Sequence, residues 1–320
     1  MKVLRATAVA LAVALAAATA QATDPDAVRD VLDQQYDLAA ERAAEPQFFH
    51  MTTEVVQFAL DGTRVGVETF RLKLKCVPAA QSGKEGDQYT CAHFTHQRDD
   101  GPELGIPALE GWTYVFDPGL EGMGVGGQVL GIPHDRFEGL TFDDGTPLPP
   151  MVAYPVYNSF IDFHAVVDVF GRPIPEGGGG GIQDLTRIGQ KIVHAAANTK
   201  APVNLGTNVA EGSYFKNGEV TLELKGVSIV DGAPCAVVTY DSGESSLEMA
   251  VEPMPDFKVT TVGTSHYFGD LFIDLETLWP RKVTLGELVI TETRLPAPPN
   301  KINAVCERHL TIRSVPEEEF

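Results

Sequence analysis

From Asn204 to the C-terminus, apolar and polar residues alternate with a period of two, and turn residues recur every 8–14 positions. Successive side chains of a strand point to opposite faces, so such a stretch buries one face only by pairing into an antiparallel sheet. The predicted strands are Glu219–Val230, Cys235–Tyr240, Ser245–Val251, Lys258–Thr264, Tyr267–Leu275, Arg281–Thr293 and Val305–Ile312. Asn217-Gly218 is a two-residue hairpin signal ahead of them. Upstream, Phe49–Leu60 and Thr63–Val77 flank a second such signal, Asp61-Gly62, and Thr90–Gln97 and Gly111–Phe116 add strands. Three segments have helical spacing instead. The first opens at Asp24-Pro25 and runs to about Ala44, with Val28, Val31, Leu32 and Ala39 in step. The second is Pro155–Phe170, with Phe160, Phe163, Val167 and Phe170 on one face; the third is Gln183–Asn198, with Leu185, Ile188 and Ile192. The fold class predicted is α+β and β-dominated, an antiparallel β-sandwich or half-barrel with two to three covering helices.

The first residues, MKVLRATAVALAVALAAATAQA, place Lys2 and Arg5 before an apolar run and end on Ala20-Gln21-Ala22. That is the pattern of a secretory signal peptide over residues 1–22. Its apolar run of about 15 residues is short of the roughly 20 that a spanning helix needs. The expected product is secreted, periplasmic or extracellular in a bacterium, with no membrane span. The organisation expected is 23–170, an N-terminal helix, β-hairpins, a Gly/Pro-rich tract and a helix; 171–181, a Gly-rich connector; and 182–320, a helix followed by antiparallel strands. The connector ends in five consecutive glycines and is the best place for a boundary, although 23–170 and 182–320 also suit one continuous domain.

Charge and motif content exclude several functions. The formal net charge of −20 becomes −22 without the leader's two cations, and it repels phosphate backbones. A nucleic acid partner is therefore not expected. The tract Pro118–Pro150, with EGMGVGGQVLGIP, lacks the spacing of a phosphate loop, and no cofactor is implied. Four cysteines in an oxidising compartment favour disulfides. Three connectivities are possible; the one expected joins Cys76 and Cys91 across a polar loop, which leaves Cys235 with Cys306.

Several stretches hold chemistry-bearing residues. In Gly263-Thr-Ser-His-Tyr-Phe-Gly-Asp270, alternation throws Ser265 and His266 to opposite faces, so the histidine is out of reach as a base for the serine. His266, Asp270 and Asp274 share parity and form a candidate polar row. His164 and Asp168, four apart in a helix, form a second acid–base candidate pair, on an apolar face where a histidine is more often a satisfied core residue. Cys91-Ala-His93-Phe-Thr-His96 looks like a metal cluster, but strand geometry separates its two histidines and no third ligand follows. Asp241 and Glu244 lie in a polar connector read as a tight hairpin, and Asp99-Asp100-Gly101 and Asp143-Asp144-Gly145 read as turns.

Phe272-Ile-Asp-Leu-Glu-Thr-Leu-Trp-Pro-Arg-Lys-Val-Thr-Leu-Gly-Glu-Leu-Val-Ile290 has an acidic turn followed by a strand that begins with basic residues. It resembles a hairpin of β-rich envelope proteins, among them the half-barrel lipoprotein carriers of the periplasm. The resemblance covers about 20 of 320 residues, and it implies a curved sheet around a cavity for a hydrophobic ligand. The function expected is a non-catalytic binding or carrier protein, its partner a hydrophobic small molecule or an envelope component. The alternatives are a secreted hydrolase with a site assembled from distant strands, and a structural envelope protein.

Overall fold

The alternating segments pair as predicted into one large sheet, every neighbouring pair antiparallel. The computed structural model describes residues 32–84, 86–116, 128–129, 132–174, 178–202, 212–254 and 257–320. The expected signal peptide, the start of the first expected helix and much of the glycine tract after Pro118 lie outside the described residues. Residues Gln35–Phe320 form one compact unit. The first strands are β1 (Gln47–Phe58), β2 (Arg64–Val77), β3 (Asp87–Arg98), β4 (Glu103–Gly105) and β5 (Thr113–Phe116). A separate two-stranded ribbon is β6 (Gln128–Val129) with β7 (Ile132–Pro133). Then come β8 (Lys191–Val193), β9 (Lys200–Pro202), β10 (Tyr214–Lys216), β11 (Thr221–Val230), β12 (Ala233–Asp241), β13 (Ser245–Met254), β14 (Phe257–Asp274), β15 (Pro280–Arg294) and β16 (Lys301–Ser314).

The sheet runs β4-β3-β2-β1-β16-β15-β14-β12-β11-β8, so the N- and C-terminal strands meet at its centre. The two strands expected at Lys258–Thr264 and Tyr267–Leu275 are a single 18-residue strand, β14. Its first half pairs with β13 and its second with β12. β12 and β13 therefore lie end to end along the same neighbour, and Ser242–Glu244 is a kink between them, not the hairpin expected from its polar residues. Asn217-Gly218 is also not a hairpin turn: β10 pairs with β9 and β13, while β11 pairs with β8 and β12. Gly218 is needed for close approach, since a Cβ there would lie 2.4 Å from the Ser242 carbonyl oxygen. Asp61-Gly62 does form its turn, with Gly62 at φ +82°.

One face of the sheet is packed by the 15-residue helix Pro150–His164, which continues as a π-helical turn through Ala165–Phe170. Its periodic aromatics do what their spacing predicts: Phe163 meets Phe49 at 5.2 Å and Phe160 stacks on Phe94 at 5.8 Å. The other two expected helices are absent among the described residues beyond Leu32–Asp33. Gln35–Ala44 is an irregular strap whose Tyr36 and Leu38 are buried, and Ala43 exchanges hydrogen bonds with Thr277 and the Trp279 indole. Gln183–Asn198 has only a 3-10 turn and edge strand β8. Gly189 adopts φ +84°, and its N–H donates to Leu224 of β11. In both segments long-range backbone bonding overrides a weak local helical preference.

The cysteine expectation is corrected as well: all four thiols are free. β14 and β15 separate β12, which holds Cys235, from β16, which holds Cys306. Three strand spacings of roughly 4.8 Å exceed the ~7 Å Cα limit for a disulfide. Cys76 faces Tyr89 and Cys91 faces Leu74, so this pair sits diagonally on adjacent strands, with Cβ atoms farther apart than the ~4 Å a bridge needs.

Candidate functional site

The long helix carries two acidic residues on its sheet-facing side, Asp162 and Asp168, and each gathers a different set of partners. Asp168 is the hub of a buried network. Its Oδ2 accepts from His164 Nδ1 at 2.8 Å and from the Tyr89 hydroxyl at 2.9 Å. Its Oδ1 accepts from Arg42 at 2.9 Å and Arg172 at 3.3 Å. The Tyr114 hydroxyl meets His164 Nε2 at 2.8 Å, and Arg172 also pairs with Asp87. Burial opposes ionisation of Asp168, but the His164 hydrogen bond and the Arg172 and Arg42 charges outweigh it and hold the carboxyl below the usual carboxylate range. The candidates His164 and Asp168 are thus brought together as predicted. Both are buried, however, as are Tyr89 and Tyr114 around them. The network ties strap, helix and sheet to one another.

The second cluster sits six residues earlier on the helix. Arg308 of β16 pairs with Asp162 and with Glu287 of β15. Glu287 accepts from Ser265 Oγ at 2.6 Å, and Asp162 accepts from Asn158 Nδ2 at 3.1 Å. One cation here faces two carboxylates. Burial pushes the Asp162 carboxyl up; Arg308 opposes this and Glu287 adds to it, which leaves it at about 6.

Beside this cluster is a cavity of about 210 Å³ between the first turns of the helix and the inner face of the sheet. Tyr154, Pro155 and Asn158 form its helical wall; Thr53, Val55, Phe70, Val289, Cys306 and Arg308 form its sheet wall. None of the described residues in Phe257–Thr264, Leu288–Arg294 or Lys301–His309 is fully buried. Residues paired directly across strands share a face. Ser265, Val289 and Cys306 are in register, so the inward side continues through Gly263, Thr291 and Ala304, flanked by Leu247, Met249 and Val251. The cavity wall and this mostly apolar strip lie on the same face of the sheet.

The strand GTSHYFGD follows the alternation. Ser265 is 1% exposed and bonds Glu287, whereas His266 projects outward and meets Asp241 at 2.9 Å. The row His266, Asp270, Asp274 does not assemble. Asp270 accepts from Thr239 at 2.7 Å; Asp274 caps the turn at Glu276 and Thr277 and accepts from Arg281 at 2.6 Å. Asp274 is 1% exposed at the end of the strand, enclosed by the turn it caps. His93 is exposed beside Glu110, while His96 is buried on the rings of Phe70 and Phe142. Among the described residues no three potential metal ligands gather. Asp99–Gly101 and Asp143–Gly145 are turns as expected.

Thr53, Asp162, Glu287 and Arg308 were not singled out from the sequence. Glu287 and Arg308 face each other across β15 and β16, a pairing visible only once the strands are in register.

The fold and the site together define a β-dominated α+β protein with a cavity between helix and sheet, bordered by a charged cluster. Among the described residues no helix is long and apolar enough to cross a membrane. No protein-family model matches the chain, and no curated protein matches it. Among solved structures it is similar to a loop L8 deletion mutant of OmpT, an outer membrane protein of Vibrio cholerae. The identity is 10% and the TM-score 0.15, over 84% of this chain and 100% of that one. A likeness at that level carries no argument here.

Proposed function

We propose that the chain is exported by its leader, that its sheet curls as a half-barrel around the long helix, and that it is a non-catalytic protein binding a hydrophobic small molecule or the apolar part of an envelope component. The observation that carries this is the cavity between Tyr154 on the helix and Val289 and Cys306 on the sheet, continuous in register with an uncovered apolar strip. Water-exposed apolar concavities of this kind are binding sites far more often than surface accidents. The Asp168 network lies outside the cavity lining and accounts for the histidine–aspartate pair as architecture. The test is organic extraction and mass spectrometry of protein purified from an exporting host, followed by titration of the emptied protein with a fluorescent hydrophobic probe. A co-purifying hydrophobe, or probe binding that Val289→Phe abolishes with the thermal midpoint nearly kept, is the expected result. An empty protein that binds no probe would end the proposal.

A further inference from the structure

Resting on that binding reading, we propose that the cavity takes a neutral single-chain amphiphile, with an ester or alcohol oxygen bonded to Thr53, and rejects anionic head groups. Thr53 lines the cavity, is 2% exposed, and its Oγ1 has no hydrogen-bond partner among the described residues. Buried hydroxyls are nearly always paired, and one left over in a cavity wall marks where a ligand's polar atom completes the set. A carbonyl or alcohol oxygen on an otherwise apolar molecule is the group that fits.

The rejection of anions follows from Arg308. It is the cation of the cavity wall, but Asp162 and Glu287 already occupy it. The cluster carries one positive charge against two negative ones, in a wall where burial strengthens every charge interaction. A ligand carboxylate or phosphate placed there meets a guanidinium already paired with two carboxylates, and net negative charge. The cavity's 210 Å³ is below the roughly 300 Å³ at which drug-sized pockets begin. That suits one alkyl chain, with the remainder lying along the open strip.

The experiment compares 1-monodecanoylglycerol with decanoate by calorimetric titration of the delipidated mature protein at pH 8. The ester is expected to bind at least about tenfold more tightly. Thr53→Val should weaken the ester about five- to tenfold without lowering the thermal midpoint, because the hydroxyl it removes bonds nothing in the empty protein. Asp162→Asn neutralises one carboxylate and should narrow the gap by strengthening decanoate. Equal binding of the two probes, or an ester affinity that ignores Thr53→Val, overturns this inference and leaves the binding function standing. Failure of both probes to bind defeats both.

Discussion

Asp162 and Asp168 lie on one helix, the first half-buried and the second fully buried, and both touch arginine, yet their surroundings drive them in opposite directions. Asp168 has two guanidiniums, an imidazole and a tyrosine hydroxyl on its two oxygens. Asp162 shares a single guanidinium with Glu287. The first carboxyl is held below its ordinary range; the second rises to about 6. Burial alone does not decide whether a buried acid holds the fold together or remains responsive. The ratio of donors to acids does. The over-supplied acid is sealed in the core, and the under-supplied one pairs with Arg308, a residue of the cavity wall.

The largest test of that contrast is Asp168→Ala. It strands buried Arg42 and the imidazole without their acceptor, and loss of one partner from a buried charged network costs about 3–5 kcal/mol. Urea unfolding should show a loss of that size; a loss under ~1 kcal/mol would mean that the hub is decorative. The second test is pH. A carboxyl whose folded-state value lies above its unfolded one binds protons more tightly when folded. Its contribution is therefore present below the ordinary value near 4 and is lost as pH rises through about 6. Asp168 has the opposite sign, contributing at neutral pH and losing its contribution on acidification. Asp162→Asn should remove only the first effect, so the difference between variant and parent stability should grow by ~2–3 kcal/mol from pH 4 to pH 7. A flat difference would contradict the assignment. The smallest test uses adjacent residues on opposite faces. Ser265→Ala removes a buried hydrogen bond to a carboxylate and should cost about 1–2 kcal/mol. His266→Ala breaks a half-exposed pair with Asp241 and should change stability by less than about 0.5 kcal/mol.

Much of the sheet was legible because alternation is a local signal: β1, β2, β11, β12, β15 and β16 all fall within a few residues of their predicted spans. So was the opposition of Ser265 and His266, which needs only a pleat. The helix Pro155–Phe170 was legible from its aromatic spacing, though it begins a turn earlier, at Pro150. What failed was decided at long range. Gln183–Asn198 has helical spacing, but the backbone bonds of β11 claim it as an edge. The strap is held by Thr186 and Thr277, far away in sequence. The cavity cluster draws on β1, the helix, β15 and β16, and no spacing rule connects Thr53, Asp162, Glu287 and Arg308. The His164–Asp168 pair was legible as a contact, but its enclosure was not, because Tyr89, Tyr114 and Arg42 arrive from three other segments.

The most direct measurement of the central idea is photolabelling of the intact protein with an alkyl diazirine of about ten carbons, with the modified residues mapped by mass spectrometry. Insertion at Val55, Val289 and Cys306, suppressed by Val289→Phe, is the result this account predicts. Insertion confined to the outward Phe268, Leu288 and Ile290, with the inner face untouched, would contradict it.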